Sequence, residues 1–191
     1  MVIVKKLVVG DLNTNCYIVS DDLSNNSLII DPGDDFQKIN SYVSENNLIV
    51  KAVLITHGHF DHIGACYYLK NKGIPIYIHS LDADKCSDND LNLSNSFSNI
   101  KTQTFVPDVL LFGDSFDFKI DTFNIKMIHT PGHSKGSCVY IIDRYIFSGD
   151  TIFDNGYGRT DFYDGSMIEL RNSIRKISSY VNNGLILCAG H

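Results

Sequence analysis

One stretch limits what this chain can become more than any other: the apolar run Val50–Ile55 followed at once by Thr56-His57-Gly58-His59-Phe60-Asp61-His62. A short apolar run rich in β-branched residues reads as a strand. Its end carries three histidines and an aspartate within six positions. Polar side chains crowded where a strand runs out into a loop are the usual form of a site carried on a rigid scaffold. The same arrangement recurs three times. His133 closes Thr130-Pro131-Gly132-His133, Asp150 follows Phe147-Ser148-Gly149, and His191 follows Leu187-Cys188-Ala189-Gly190. Five of the seven histidines therefore sit at such junctions. A lone histidine at a strand end is usually a satisfied polar residue, which is the reading for His79 and His129. A lone aspartate after glycine is usually a turn residue. Seven such residues in concert call for another explanation.

Their chemistry suits a divalent metal, since neutral imidazole and carboxylate are good ligands for zinc and iron. Structural zinc sites are usually closed and rich in cysteine. The five cysteines here are widely spaced and contain no C-x-x-C, so they read as small buried hydrophobes. Three histidines around one ion leave a fourth position for water, whose pKa a metal lowers to roughly 7. With two ions about 3.5–4 Å apart, one carboxylate can bridge them. Gly58 is expected to let the backbone turn so that His57 and His59 converge.

The length of 191 residues fits one compact domain, 1–191. With 43% hydrophobic and 20% charged residues the chain can bury a core. A formal charge of −6 argues against nucleic acid as a partner. No run of about 18 apolar residues exists, and the start is too interrupted for a secretory signal, so no membrane span and a cytoplasmic location are expected. Strands are expected at Val2–Val9, Cys16–Val19, Leu28–Ile30, Val50–Ile55, Pro75–His79, Ser137–Ile142, Tyr145–Ser148 and Leu185–Ala189. Phe116–Ile120 and Phe123–Met127 alternate with period two and predict a hairpin. Phe36, Ile39 and Val43 predict a helix, as do Ile63–Lys72 before Gly73 and the stripe Met167, Leu170, Ile174, Ile177 and Val181. A short helix is expected after Leu81. Asp88–Asn99 reads as a surface loop. Strands in two groups with a few amphipathic helices suggest two packed sheets flanked by helices.

Thr56-His57-Gly58-His59-Phe60-Asp61-His62-Ile63-Gly64, Thr130-Pro131-Gly132-His133-Ser134, Ser148-Gly149-Asp150-Thr151 and Ala189-Gly190-His191 resemble the motifs of the metallo-β-lactamase superfamily, in the family's order and over nearly the whole chain. Asp31-Pro32-Gly33 matches the turn that commonly precedes the family's first helix. The resemblance implies an α+β fold, a four-layer αββα sandwich. It implies two divalent metal ions per chain, zinc foremost with iron or manganese as alternatives. His57, His59 and His133 would hold the first ion, and Asp61, His62 and His191 the second, with Asp150 bridging. Family members usually continue past the final Gly-His, which here closes the sequence.

Within the superfamily the chain is most similar to compact glyoxalase II-like hydrolases. The resemblance then implies hydrolysis of a small-molecule thioester such as S-acylglutathione. A metal-bound hydroxide would attack the carbonyl, with Asp61 orienting it. Gly158-Arg159-Thr160-Asp161-Phe162 resembles a loop of that group, in which Arg159 stands where a basic residue meets the glutathione carboxylate. An arginine tied to Asp161 or Asp154 is the equal alternative. An iron-dependent persulfide dioxygenase, with one iron on His57, His133 and Asp150, is a rival that Gly190-His191 argues against. A lactonase or other ester hydrolase on the same metals is another, as is a non-catalytic binding module. The missing export signal weakens a true β-lactamase.

Overall fold

The computed structural model describes residues 1–97 and 102–191. One sheet runs β1 (Val2–Val9), β2 (Thr14–Asp21), β3 (Asn26–Ile30), β4 (Ile49–Leu54), β5 (Ile76–His79) and β6 (Val109–Leu111), each beside the next. The second contains β7 (Ser115–Ile120), β8 (Phe123–His129), β9 (Cys138–Ile142), β10 (Tyr145–Gly149) and β11 (Ile186–Ala189), in the spatial order β11-β10-β9-β8-β7. The expected hairpin is β7–β8, paired from Ser115 opposite Ile128 to Ile120 opposite Phe123. The three-residue β6 carries too little pattern to be read from sequence, and its pairing with β5 defines it.

Side-chain alternation assigns each face. Leu28, Ile30, Ala52 and Leu54 turn inward and meet Ile125, Met127, Tyr140 and Phe147 of the other sheet. Ile29, Val53 and Ile55 turn outward, beneath Ile39, Ile63 and Leu69 of the helices α1 (Phe36–Glu45), α2 (Phe60–Ile63) and α3 (Cys66–Lys70). On the far side Ile128, Val139 and Ile146 lie under Ile177 of a long helix, α5 (Met167–Asn182), which follows the single-turn α4 (Ser94–Phe97). The result is the four-layer αββα sandwich. Burying a Leu- or Ile-sized side chain is worth about 1.5–3 kcal/mol, against about 1 kcal/mol net for an average hydrogen bond. Apolar burial therefore dominates the packing, and the central strands β2, β3 and β4 are buried on both faces, one against the other sheet and one beneath the helices. All five cysteines are buried and unbridged, as their apolar surroundings suggest. Among the described residues no helix is long and apolar enough to cross a membrane.

Two local expectations need correcting. The helix expected over Ile63–Lys72 is broken into α2 and α3. The Asp31-Pro32-Gly33 turn packs into the break: the Ala65 N–H donates to the Pro32 carbonyl at 2.9 Å, and a Cβ on Gly64 would lie 2.1 Å from the Gly33 carbonyl oxygen. The segment from Asp88 is also no mere surface loop. Asn92 and Ser94 are fully buried, and the Asn92 carbonyl accepts the Phe60 N–H at 3.0 Å, which ties this segment to the start of α2. The last two residues of that expected loop, 98 and 99, lie outside the described residues.

One set of hydrogen bonds between the sheets lies at the end where the histidines emerge. The Cys138 N–H donates to the Thr56 carbonyl at 2.8 Å, and the Asn15 N–H donates to the Gly190 carbonyl at 2.8 Å. The Tyr140 hydroxyl donates to the Ile55 carbonyl at 2.9 Å, and the Tyr17 hydroxyl to the Ala189 carbonyl at 2.7 Å. Each acceptor stands within two residues of one of the histidines singled out above, so the two sheets are locked where those side chains emerge.

Candidate metal centre

The seven residues picked out along the chain come together. His57 Nε2 lies 3.2 Å from His133 Nε2, which is 2.9 Å from His59 Nδ1. A second group forms beside them: Asp61 Oδ2 is 3.3 Å from His191 Nε2 and 3.5 Å from His62 Nε2. Asp150 stands between the groups. Its Oδ1 is 3.3 Å from His62 Nε2, and its Oδ2 is 3.5 Å from His133 Nε2 and 3.6 Å from His191 Nε2. Among the described residues three overlapping sets could hold a metal ion: His57, His59 and His133; His57, His62 and Asp150; and Asp61, His62 and His191.

The outer nitrogens decide what the inner ones can do. His133 Nδ1 lies 2.7 Å from the Arg159 carbonyl, and His191 Nδ1 lies 3.2 Å from the Leu12 carbonyl. His62 Nδ1 faces Asp31 Oδ2 at 3.0 Å. His57 Nδ1 faces the Thr56 hydroxyl at 3.2 Å, and that hydroxyl donates to Asp31 Oδ2 at 2.7 Å. Each partner is an acceptor, so the proton of each neutral ring sits on Nδ1 and the Nε2 lone pair points into the cluster. His59 is reversed, with Nδ1 facing inward. Buried lone pairs about 3 Å apart repel unless a cation or a proton lies between them. Among the described residues, His62 Nε2 and Asp150 Oδ1, 3.3 Å apart, are buried with no well-formed hydrogen bond, which is costly in a folded protein. A donor set of imidazole and carboxylate with carbonyls and a carboxylate behind it is what a divalent cation requires. The residues fit such a group.

The electrostatics agree. Burial and the neighbouring imidazoles depress His57, and they push His59 down to about 3, so both rings are neutral at ordinary pH. Burial would likewise depress His62, but Asp61, Asp150 and Asp31 outweigh it and raise it. Burial opposes ionisation of Asp61, yet His62 and His191 hold its carboxyl well below the usual carboxylate range. The cluster attracts positive charge.

Local geometry explains two glycines. A Cβ on Gly190 would lie 2.3 Å from Asp150 Oδ1, so only glycine lets the last strand deliver His191 beside that carboxylate. Gly58 serves otherwise than expected. Its backbone is not left-handed, and what requires glycine there is close packing, because a Cβ would lie 2.7 Å from Lys85 Cβ.

Arg159 enters the centre through its backbone carbonyl. Its guanidinium forks onto Asp161, with Nε 2.7 Å from Oδ1 and Nη2 2.6 Å from Oδ2, and lies over the Phe162 ring. The alternative of an arginine tied to Asp161 is the arrangement seen. His79 and His129 stand outside the three sets, their rings stacked 4.2 Å apart, with His129 Nε2 at 2.8 Å from the Lys135 carbonyl. Several supporting residues escape a reading of the sequence. Asp31 looks like a turn residue, yet its side chain serves His62 and Thr56. Thr14 donates to Asp61 Oδ2 at 3.1 Å. Asp82 accepts the Gly58 N–H at 2.8 Å. Only the Asp31-Pro32-Gly33 motif gave any signal among these.

Comparison with known proteins agrees with the geometry. The family profile described as "Metallo-beta-lactamase superfamily" matches residues 9–191. The probable metallo-hydrolase YqgX of Bacillus subtilis is 36% identical, covering 98% of this chain and 89% of its own. Hydroxyacylglutathione hydrolase GloC of Haemophilus influenzae is 35% identical, covering 93% of this chain and 84% of its own. The crystal structure of BLEG-1 B3 metallo-beta-lactamase superposes with a TM-score of 0.91 at 32% identity, over 99% of this chain and 91% of that one. The chain belongs to the metallo-beta-lactamase superfamily.

Proposed function

We propose that this metal-dependent hydrolase is a cytoplasmic thioesterase of the glyoxalase II type, cleaving S-acylglutathione or related small-molecule thioesters with two divalent ions, zinc foremost, held by His57, His59, His133, Asp61, His62, His191 and Asp150. The observation that carries the reading is the convergence of inward-facing ring nitrogens on two carboxylates, with unpartnered buried atoms among them. The name of the GloC relative supports the substrate class.

Divalent cations in this cradle supply Lewis acidity and a water with a pKa of roughly 7. The chain does the rest. Asp61 Oδ2 gathers Thr14, His62 and His191, which leaves Oδ1 to orient the attacking water. The His133 ring is fixed by the Arg159 carbonyl, and the Phe162 ring, 5.0 Å from that of His59, shields the three-histidine side from solvent. The departing thiol has an ordinary pKa near ~8.5 and leaves as a thiolate with little protonation, so no separate acid is required of the chain.

The test is turnover of S-lactoylglutathione and simple acyl thioesters by metal-loaded protein, with His59→Ala as control. Hydrolysis that the variant loses is the expected result, and no turnover above that control rejects the class. Two rivals are read in the same panel. A β-lactam arm is warranted by the BLEG-1 structure, and a lactone arm by the identical metal requirement; faster cleavage of either would move the substrate class. Oxygen uptake with glutathione persulfide and a single iron would favour the dioxygenase, against which stands the second group of Asp61, His62 and His191.

A further inference from the structure

Beneath the three-histidine group lies a charged cluster that the proposed chemistry does not use. It is built on a 3-10 helix, Ser80–Cys86. Asp82 is fully buried, and so is the Lys85 side chain, at 1% exposure. Lys85 Nζ donates to Asp82 Oδ1 at 2.7 Å and to Asp164 Oδ2 at 2.6 Å. Three charges are thus removed from water, an arrangement that rarely adds stability over an apolar substitute of the same shape. Its contacts give it another use.

Asp82 Oδ2 accepts the Gly58 N–H at 2.8 Å, the amide between His57 and His59, and the Ser134 hydroxyl at 2.7 Å, next to His133. Asp82 Oδ1 accepts the Gly136 N–H at 2.8 Å, further along the His133 loop. Beyond Lys85, Asp164 accepts the Lys135 N–H at 3.2 Å and ends the segment whose Phe162 ring packs on His59 and His133. One carboxylate therefore ties together the two loops that supply all three histidines, and one ammonium ties that carboxylate to the third segment around them. Hydrogen bonds to charged groups are stronger than those between neutral ones, and Asp82 accepts four of them (from Gly58, Ser134, Gly136 and Lys85).

We infer that Asp82 is a positioning residue of the three-histidine group: it fixes the separation of the His57–His59 loop from the His133 loop and thereby sets that group's affinity for a divalent cation, with Lys85 and Asp164 holding Asp82 in place. The inference rests on the proposed metal reading and extends it to residues that touch no ion. Its effect falls on the three-histidine group, because Asp82 bonds on both sides of that group, at Gly58 and at Ser134 and Gly136, whereas Asp61 and His62 lie past Gly58 on α2 and His191 follows β11, and among the described residues Asp82 makes no hydrogen bond to α2 or to the segment of His191.

The test is a cobalt titration of the metal-stripped full chain, followed by the visible absorption of bound Co2+. Wild type takes up two ions. Asp82→Asn weakens one binding step about 10- to 100-fold, the range for partners behind a ligand, and leaves the other unchanged. Ser134→Ala, which removes one of the four bonds and retains the charges, weakens the same step by a smaller factor. Ile39→Ala, a destabilising change in the outer layer away from the centre, alters neither step. Should Asp82→Asn fail to fold, Ser134→Ala decides alone. Wild-type steps in the folded variants overturn the inference, as does equal weakening of both steps or the same selective loss in Ile39→Ala. A wild-type chain that binds no cobalt overturns the metal reading and this inference together, whereas two wild-type steps that the variants retain overturn this inference alone.

Discussion

Asp150→Asn is expected to lower hydrolysis about 10³-fold or more. The change is isosteric, which matters because the space is tight beside Gly190, where even a Cβ would lie 2.3 Å from Asp150 Oδ1. Shape is kept and charge is lost. In the wild type Oδ1 faces His62, and Oδ2 faces His133 and His191, so this carboxylate is placed to serve both groups at once. An amide has one oxygen and one NH2, and can offer a lone pair to only one side. Charge stabilisation of the reacting carbonyl by bound metal is worth several kcal/mol, and about 4 kcal/mol of barrier is a factor of ~10³. Steady-state kinetics with metal quantified in the same samples check this. Asp117→Asn, the same chemical change on the exposed face of β7, is the control and retains wild-type rates. An Asp150→Asn enzyme within tenfold of wild type would mean that Asp150 does not join the two groups.

The largest stability effect is expected at Lys85→Met. Methionine fills a similar volume but leaves Asp82 and Asp164 buried without their cation. Breaking a buried pair from one side costs about 3–5 kcal/mol, which for a chain of this size lowers the melting temperature on the order of 10 °C. The pH dependence has a definite sign. Burial raises the Asp82 carboxyl, but Lys85, the Gly58 N–H and the Ser134 hydroxyl together hold it below its ordinary value. A carboxyl lowered on folding contributes stability that is present above its unfolded value of about 3.9 and is lost as pH falls through the folded one. With the ammonium gone, burial prevails, the folded value rises, and acid unfolding begins at a higher pH than in wild type. Urea denaturation across an acid pH series measures both effects. A variant as stable as wild type at every pH would show that Lys85 does not hold Asp82 and Asp164.

The candidate cluster was legible because its members follow apolar strands and because four of them, His57, His59, Asp61 and His62, share one short motif. Two packed sheets flanked by helices were legible because Phe116–Ile120 and Phe123–Met127 alternate with period two and Met167, Leu170, Ile174, Ile177 and Val181 recur at helical spacing, whereas Leu28–Ile30 is apolar throughout and buried on both faces. The supporting residues were not, since their roles come from distant contacts. Asp82 and Lys85, three apart on a short helix, have the spacing of a solvated surface pair, and nothing nearby in sequence indicates that Asp164 closes over them. Asp31 stands in a Pro-Gly turn whose backbone was readable while the side chain's destination, His62, was not. The break between α2 and α3 was hidden for the same reason. The propensities of Ile63–Lys72 favour one helix, and only the packing of Pro32 and Gly33 against Gly64 and Ala65 overrides them. At Arg159 the sequence left two readings open, a substrate carboxylate or a neighbouring aspartate, and the fork of Arg159 onto the exposed Asp161 is a contact that the motif alone does not indicate.

The most direct trial is an anomalous-difference map from crystals of the protein grown with zinc. Two peaks are predicted: one facing His57 Nε2, His59 Nδ1 and His133 Nε2 at about 2.0–2.1 Å, the other among Asp61, His62 and His191, with Asp150 reaching both. A well-ordered centre without density between those side chains, or with the peaks elsewhere on the chain, would contradict it.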